Sequence, residues 1–238
     1  MKKNLKILLP GAGEQIEYLK KNLTSSPKSI LVIGASSEVA AIELSNAFDT
    51  NVQLIVEDYE SLLNSKLLLE GNSRIQSKMM SFESTDFTVN EFDLIYAQAS
   101  ISLVNRNKIV KEIKRILKPG GYLCVGEVTK LTNDIPTFMK NIFESSGQLP
   151  LLSNDLDKYY SERNWKMLGK KNLTHTLKDF YNLSYSQMKT AIDNLADSEK
   201  SYYKIILNRI SHESNIYLNF GGNKYIGFYS MILQKGEN

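Results

Sequence analysis

The sequence predicts an α/β fold with a doubly wound, mostly parallel sheet that ends in an antiparallel hairpin. Short apolar runs alternate with helical segments from residue 30 to residue 128, which is the pattern of successive βαβ units. The first run, Ser29–Ile33, is almost continuously apolar, and a strand that is buried on both faces belongs to a parallel sheet. The tail of the chain is patterned as two further strands around the turn Gly221-Gly222-Asn223, which favours the hairpin.

The first half of the predicted sheet contains three strands. A short amphipathic helix precedes them, because Ile16, Leu19 and Leu23 recur at spacings of three and four. The elements expected here are a helix over residues 13–23, strand Ser29–Ile33, helix Glu38–Phe48, strand Val52–Val56, helix Tyr59–Leu69 and strand Arg74–Met79. Gly71-Asn72 closes the last of these helices.

The second half adds two parallel strands and the terminal hairpin. We expect strand Phe92–Ala97, an amphipathic helix over Lys108–Leu117 that the turn residues Lys118–Gly121 stop, and strand Tyr122–Val128. The hairpin strands are expected at Asn215–Phe220 and Tyr225–Gln234. Crossovers between the parallel strands are expected to be right-handed.

The chain is expected to form one domain with an insertion. The predicted parts are an N-terminal helical segment over residues 1–28, a core over residues 29–130, a helical cap over residues 131–214, and the C-terminal strands over residues 215–238. In an alternative interpretation of the cap, Trp165–Leu168 is a sixth core strand and Asp155–Arg163 is the helix before it.

Composition argues against several classes of function. The net charge of +3 is small and the basic residues are spread along the chain, whereas nucleic-acid binders concentrate charge on one face. Cys124 is the one cysteine and lies in an apolar run, which indicates a core residue and no cysteine-rich metal site. No signal peptide or membrane-spanning run is recognised. We therefore expect a cytoplasmic protein with no metal and no nucleic-acid or membrane partner.

The strongest functional pattern lies at the carboxyl ends of the predicted strands. The first strand ends at Gly34, whose backbone can approach a ligand closely, and the following helix presents free N–H groups. The second strand ends at Glu57, an acid placed to accept the hydroxyl groups of a ribose. These features predict a nucleotide cofactor in the crevice at the edge of the sheet. The structural alternative is that Glu57 only caps the helix from Tyr59.

Residues 30–128 resemble a Rossmann-like, class I S-adenosylmethionine-dependent methyltransferase of the broad type 11 group, which includes ubiquinone-biosynthesis and arsenite-type enzymes. The motifs that carry the resemblance are Ile30–Glu38 for the first strand and glycine loop, Val56-Glu57, Ser81-Phe82-Glu83, Asn90–Gln98, and above all Ile113–Leu123 with Lys118-Pro119-Gly120-Gly121. The tail Tyr225–Lys235 and the opening Leu9-Pro10-Gly11-Ala12-Gly13 also resemble parts of that group. The resemblance does not extend to residues 131–215.

The resemblance implies S-adenosylmethionine as cofactor and a small molecule as methyl acceptor. The expected cofactor contacts are Gly34, Ala35 and Ser36 at the methionine portion, Glu57 at the ribose, Asp58, Phe82 and Glu83 around the adenine, and Ala97 and Gln98 beside the sulfonium. His175 is the candidate general base. The cap aromatics that could line the acceptor pocket are Tyr159, Tyr160, Trp165, Phe180, Tyr181 and Tyr185. The single cysteine argues against arsenite as acceptor, because thiols bind arsenic.

The glycine loop departs from the family pattern. Ser36 and Glu38 stand where that family usually has glycine, and Ser81 replaces an aspartate often found before the adenine contact. The Ser36 side chain reduces the space that is available for the methionine end of the cofactor. A Glu38 carboxylate would repel the methionine carboxylate unless it turns outward, and in the inward case Glu38→Gly should tighten binding.

Two other functions remain open from the sequence. A short-chain dehydrogenase would explain Gly34–Ser37 together with the Tyr-x-x-x-Lys spacing of Tyr185 and Lys189, in which the tyrosine protonates a carbonyl oxygen. A binding module that retains the methyltransferase fold would explain the altered glycine loop, since a fold alone does not establish a function.

Overall fold

The computed structural model describes residues 6–193 and 210–236. Its helices are α1 Glu14–Asn22, α2 Glu38–Phe48, α3 Tyr59–Leu68, α4 Arg106–Ile116, α5 Thr137–Ser145, α6 Leu156–Ser161 and α7 Thr176–Asp193. Its strands are β1 Ile30–Ile33, β2 Val52–Val56, β3 Ile75–Met79, β4 Phe92–Gln98, β5 Leu117–Lys130, β6 Leu151–Leu152, β7 Trp165–Asn172 and β8 Ile226–Lys235. Residues 210–219 are also helical, and Gly222–Lys224 form a 3₁₀ turn.

The described strands form one eight-stranded sheet in the order β3-β2-β1-β4-β5-β8-β7, with β6 paired to β5. Strands β1 to β5 are parallel, and β8 runs antiparallel to both of its neighbours. The five parallel strands, the helices between them and the antiparallel end of the sheet confirm the predicted doubly wound fold. The order reverses between β1 and β4, the position at which such sheets bind ligands.

Helices cover both faces of the sheet because the central strands are buried on both sides. All four side chains of β1 are buried. One face packs against apolar residues of α1 and α2, such as Ile16 and Leu44. The opposite face packs against α4 and α6 through residues that include Ile113 and Tyr160. Cys124 lies in the core as predicted, and burial raises the pKa of its thiol to about 12.

The hairpin strand predicted at Asn215–Phe220 is wrong, because residues 210–219 are helical. Ile216 and Tyr217 are adjacent in sequence and both are buried, which suits a helix side better than a strand, whose successive side chains point to opposite faces. At the edge of the sheet, β8 pairs antiparallel with β7 and not with residues 215–220. The alternative interpretation of Trp165–Leu168 as a core strand is therefore confirmed.

The predicted cap is consequently less helical than expected. Residues 131–214 contribute β6 and β7 to the sheet, and α6 supports β7 from the position expected for Asp155–Arg163. What remains over the carboxyl ends of the strands is α5, α7 and the helix over residues 210–219. These helices share an apolar cluster that includes Met139, Leu177 and Ile216.

Gly126 of β5 gives a test of this packing. An added Cβ would overlap Gln15 Oε1 of α1 and the Phe228 ring of β8. We expect Gly126→Ala to lower the free energy of unfolding by roughly 1–3 kcal/mol, because overpacking forces neighbours out of good rotamers. Gly13→Ala is the control, since nothing lies within 4 Å of the position of its Cβ. Urea unfolding of both variants checks the prediction, and equal stabilities would contradict it.

Candidate functional site

The predicted cofactor loop begins at Gly34, directly after β1. Its φ is +127°, a conformation that L side chains rarely adopt. A Cβ at Gly34 would also lie 2.6 Å from Ser100 Cβ. Gly34 N donates to Ile55 O at 3.0 Å, and Ser100 Oγ donates to Ile33 O at 2.7 Å. The loop is therefore held from both sides, by β2 and by the chain after β4.

The start of α2 fits a ligand that carries an anionic group. Ser37 occupies the N-cap but makes no capping hydrogen bond with its side chain, so N–H groups of the first turn have no side-chain acceptor there. The Ser37 hydroxyl is fully buried and has no hydrogen-bond partner among the described residues, and a buried polar atom without a partner is uncommon. The methionine carboxylate of the predicted cofactor suits both features.

Glu57 occupies the tip of β2 as predicted and is exposed. Its Oε1 accepts a hydrogen bond from Phe82 N at 2.9 Å, while its Oε2 accepts none from the described residues. Asp58, and not Glu57, caps α3, because its carboxylate accepts from both the backbone N and the Oγ of Ser61. The structural alternative for Glu57 is therefore wrong.

The residues expected around the adenine are engaged in protein contacts. The hydrogen bonds from Ser61 hold the pKa of Asp58 below its usual value. Glu83 accepts from Asn105 Nδ2 at 2.6 Å and pairs with Lys108 at 3.0 Å, and these contacts lower the pKa of its carboxyl group. The Phe82 side chain packs into the core. Their role at an adenine stays a prediction.

Gln98 holds the N-terminal turn against the end of β4. Its Nε2 donates to Pro10 O at 2.7 Å and to Ala12 O at 3.0 Å, while its Oε1 accepts from Tyr96 OH at 2.7 Å. Ala97 is buried beside it. These two residues lie at the carboxyl end of β4, as predicted, but the Gln98 amide is used within the protein. Contact with a sulfonium stays a prediction.

A buried charged group positions the loop after β4. Glu127 is fully buried, and its carboxylate accepts from Ser102 Oγ at 2.5 Å and from Tyr160 OH at 2.6 Å. Arg106 lies with Nε 3.3 Å from Glu127 Oε1 and donates to Leu149 O at 2.8 Å. Since a buried charge is tolerated only when it is paired and hydrogen-bonded, this network ties the loop, β5 and the segment before β6 together.

A pocket of about 190 Å³ lies beyond the ends of β4 and β5. Leu9, Pro10, Ala99 and Val128 form its floor, and the covering residues come from α5, α7 and the helix over residues 210–219. The lining is mostly apolar, with Glu213 as its one carboxylate among the described residues. A small molecule can bind here between the cap and the strand ends.

The aromatic residues of the predicted cap separate into two groups. Phe180 and Tyr181 line this pocket, whereas Tyr159, Tyr160 and Trp165 pack against α4 and the far face of the sheet. The side chain of Tyr185 lies outside the described residues, as does that of Lys189. Sequence periodicity alone could not separate the pocket-lining aromatics from the core aromatics, because both groups lie in apolar surroundings.

His175 is exposed and does not line the pocket. Its Nε2 lies 2.7 Å from Glu14 Oε1, and Lys171 Nζ lies 3.1 Å from the other oxygen of the same carboxylate. The contacts place His175 on α1, beside the N-terminal turn. A role as general base stays a prediction.

In the described part of the chain, no group of three His, Cys, Asp or Glu side chains is placed to hold a metal ion.

Several residues that shape the site were not predicted from the sequence. Ser37, Ser100 and Glu127 carry no pattern of their own, because hydroxyl and carboxyl groups are common in loops and on surfaces. Leu9 and Pro10 could have been recognised, since the segment Leu9–Gly13 was already part of the family resemblance.

No described helix has the length and hydropathy required to span a membrane.

The loop after β3 depends on Glu112, which gives a pH-dependent prediction. Burial acts to raise the pKa of Glu112, but hydrogen bonds from Arg115 and Thr85 outweigh it and lower the pKa to about 2. A carboxyl group with a lowered native pKa stabilises the fold above its unfolded value and loses that contribution as the pH falls. Glu112→Gln should therefore destabilise the protein most at pH 7, with the difference from wild type shrinking between pH 4.5 and about 2.

Urea unfolding at several pH values measures this difference. Glu144→Gln is the control, because its side chain is exposed and has no hydrogen bond or ion pair with the described residues. A difference for Glu112→Gln that stays constant from pH 7 to pH 2.5 would contradict the prediction.

Comparison with known proteins agrees with this arrangement. A family model described as a methyltransferase domain matches residues 9–125. A curated Haemophilus influenzae protein, named only as an uncharacterized protein, is 24% identical over 142 residues, which is 57% of this chain and 57% of that protein. The chain thus spans a little over half the length of that relative.

Solved structures share the fold at low identity. Phosphoethanolamine N-methyltransferase 2 from Haemonchus contortus is 13% identical with a TM-score of 0.77, over 96% of this chain and 54% of that one. The [4+2]-cyclase SpnF is 14% identical with a TM-score of 0.76, over 94% and 80%. The cyclopropane synthase MmaA2 from Mycobacterium tuberculosis is 12% identical with a TM-score of 0.73, over 93% and 83%. Residues 9–125 of the chain therefore match a methyltransferase domain, and the solved structures share its fold.

Proposed function

We propose that this protein transfers a methyl group from S-adenosylmethionine to a small molecule. The observation that carries the proposal is the pair of features at the strand ends: Glu57 with an oxygen that has no partner in the described chain, and the start of α2 with the unpartnered Ser37 hydroxyl. The first suits ribose hydroxyl groups and the second suits a carboxylate. Both belong to the matched domain.

The cofactor supplies an activated methyl group, so the protein mainly aligns donor and acceptor and excludes water. Gly34, Ala35 and Ser36 would lie against the methionine portion, and Glu57 would hold the ribose. The pocket floored by Ala99 and Val128 would receive the acceptor. Its volume of about 190 Å³ and its apolar lining favour a small acceptor, or a small apolar part of one, since a dry cavity of about 150 Å³ holds benzene.

A second function is a reaction other than methyl transfer on the same fold. Ser36 and Glu38 replace two glycines of the family loop, and the similar [4+2]-cyclase SpnF is named for a different reaction. A dehydrogenase is not favoured. The dinucleotide-binding order is 3-2-1-4-5-6, whereas β5 is followed in this sheet by the antiparallel β8.

Titration calorimetry with three ligands separates these possibilities. We expect S-adenosylmethionine and S-adenosylhomocysteine to bind with dissociation constants near the micromolar range, which corresponds to about 8 kcal/mol, and NADH not to bind. Binding of NADH alone would overturn the proposal, and binding of none of the three would favour a binding module that retains the methyltransferase fold. If the adenosyl ligands bind, release of S-adenosylhomocysteine in the presence of candidate acceptors separates methyl transfer from another reaction.

A variant of Glu57 tests the ribose assignment. Glu57→Ala removes a charged hydrogen-bond acceptor, so we expect affinity for S-adenosylhomocysteine to fall about tenfold or more. Glu57→Gln retains an acceptor for Phe82 N and should lose less. Glu70→Ala is the control, because this carboxylate is exposed and has no partner in the described chain. Unchanged affinity in Glu57→Ala would show that the assignment is wrong.

A further inference from the structure

A second cavity of about 410 Å³ lies between α2 and α3, behind the cofactor loop. This volume falls within the range of small-molecule sites. The cavity is lined by Lys6, Leu8, Ala35, Ser36, Glu38, Val39, Ile42, Ser61, Asn64, Leu67 and Leu68. It shares Ala35 and Ser36 with the cofactor loop, but neither Glu57 nor Phe82 lines it. The cavity therefore adjoins the proposed cofactor site and shares only the Ala35–Ser36 edge with it.

Glu38 is the one carboxylate among the described residues that line this cavity. Its side chain has turned away from the glycine loop towards α3, where Oε1 accepts from Ser65 Oγ at 2.5 Å. Glu38 is only 4% exposed, and Oε2 accepts no hydrogen bond from the described residues. A carboxylate with little exposure is stabilised by a cation or by several donors, and the Ser65 hydroxyl group supplies one donor.

The described surroundings of Glu38 supply apolar surface and neutral polar groups, and no described cation forms an ion pair with it. Val39 and Ile42 of α2 face Leu67 and Leu68 of α3 across the cavity, and the two leucines are 72% and 52% exposed. Lys6 also lines the cavity, but it is exposed and makes no ion pair with Glu38. An apolar body with a cationic, hydrogen-bond-donating end would cover the leucines and satisfy Glu38 together.

We propose that this cavity is a binding site for a small protonated amine with an apolar body, and that the ammonium group donates to Glu38 Oε2. The site is separate from the proposed transfer reaction and does not depend on it. The turn of Glu38 towards Ser65 corresponds to the outward of the two cases considered from the sequence, so Glu38→Gly has no reason to tighten cofactor binding.

The test uses three probes with one apolar body and different ends: 4-phenylbutylamine, 4-phenylbutanol and 4-phenylbutyrate. Titration calorimetry of the intact protein should show the amine binding at least tenfold more tightly than the alcohol, and no binding of the carboxylate. Glu38→Gln should remove the advantage of the amine over the alcohol. Glu43→Gln is the matched control, since Glu43 lies on the same helix outside the cavity, and it should retain the advantage.

Two further variants keep the test decisive if Glu38→Gln fails to fold. Val39→Trp fills the cavity while leaving Glu38 in place, and it should abolish binding of the amine and the alcohol. Lys6→Met removes a like charge from the cavity wall and should strengthen amine binding modestly. Equal binding of amine and alcohol to the wild-type protein, or amine binding that survives Val39→Trp, would overturn the proposal.

Competition with the adenosyl ligand distinguishes this proposal from the proposed function. Saturating S-adenosylhomocysteine should leave amine binding in place, because the two sites share only the Ala35–Ser36 edge. Displacement of the amine would show that the cavity belongs to the cofactor site and would overturn the proposal of a separate site. If S-adenosylhomocysteine does not bind at all, the proposed function fails while the amine site remains testable.

Discussion

The reversal of strand order between β1 and β4 is the constraint on which the rest of the structure depends. β1 pairs in parallel with β2 on one side and with β4 on the other. The segments that follow β1 and β4 therefore leave their strands towards opposite faces of the sheet. The crevice between those ends receives the Gly34 loop and Glu57 from one side and Ala99 from the other. A cofactor and an acceptor can thus approach each other without a separate domain.

Polar side chains connect the loops at this edge to neighbouring elements through hydrogen bonds. Gln98 fixes the N-terminal turn, Glu112 fixes the loop after β3, and Glu127 fixes the loop after β4. Each of these groups would be costly if left unpaired in a buried position, and each becomes a specific anchor once satisfied. The hydrogen bonds that satisfy these buried polar groups also position the walls of the site.

The altered glycine loop has two different structural consequences. Ser36 adopts a left-handed conformation with φ of +61° and remains exposed at the crevice, so the chain retains the loop path without a glycine there. Glu38 turns away and is buried between α2 and α3. The Glu38 carboxylate therefore points away from the loop and lies in a cavity behind it.

The sequence by itself determined the parallel half of the sheet, the helices between its strands and the position of Glu57, because apolar periodicity and turn residues act locally and β1 to β5 follow them closely. Only the tertiary structure decided the identity of the antiparallel partner, since residues 215–220 and Trp165–Leu168 carry similar short apolar patterns and differ in what they pack against. It also decided how polar side chains are used. Glu83 and Gln98 have the right types for ligand contacts, but their hydrogen bonds to Asn105 and Pro10 arise from contacts that local sequence does not specify. Asp58 instead caps α3 through Ser61, three residues away in the sequence.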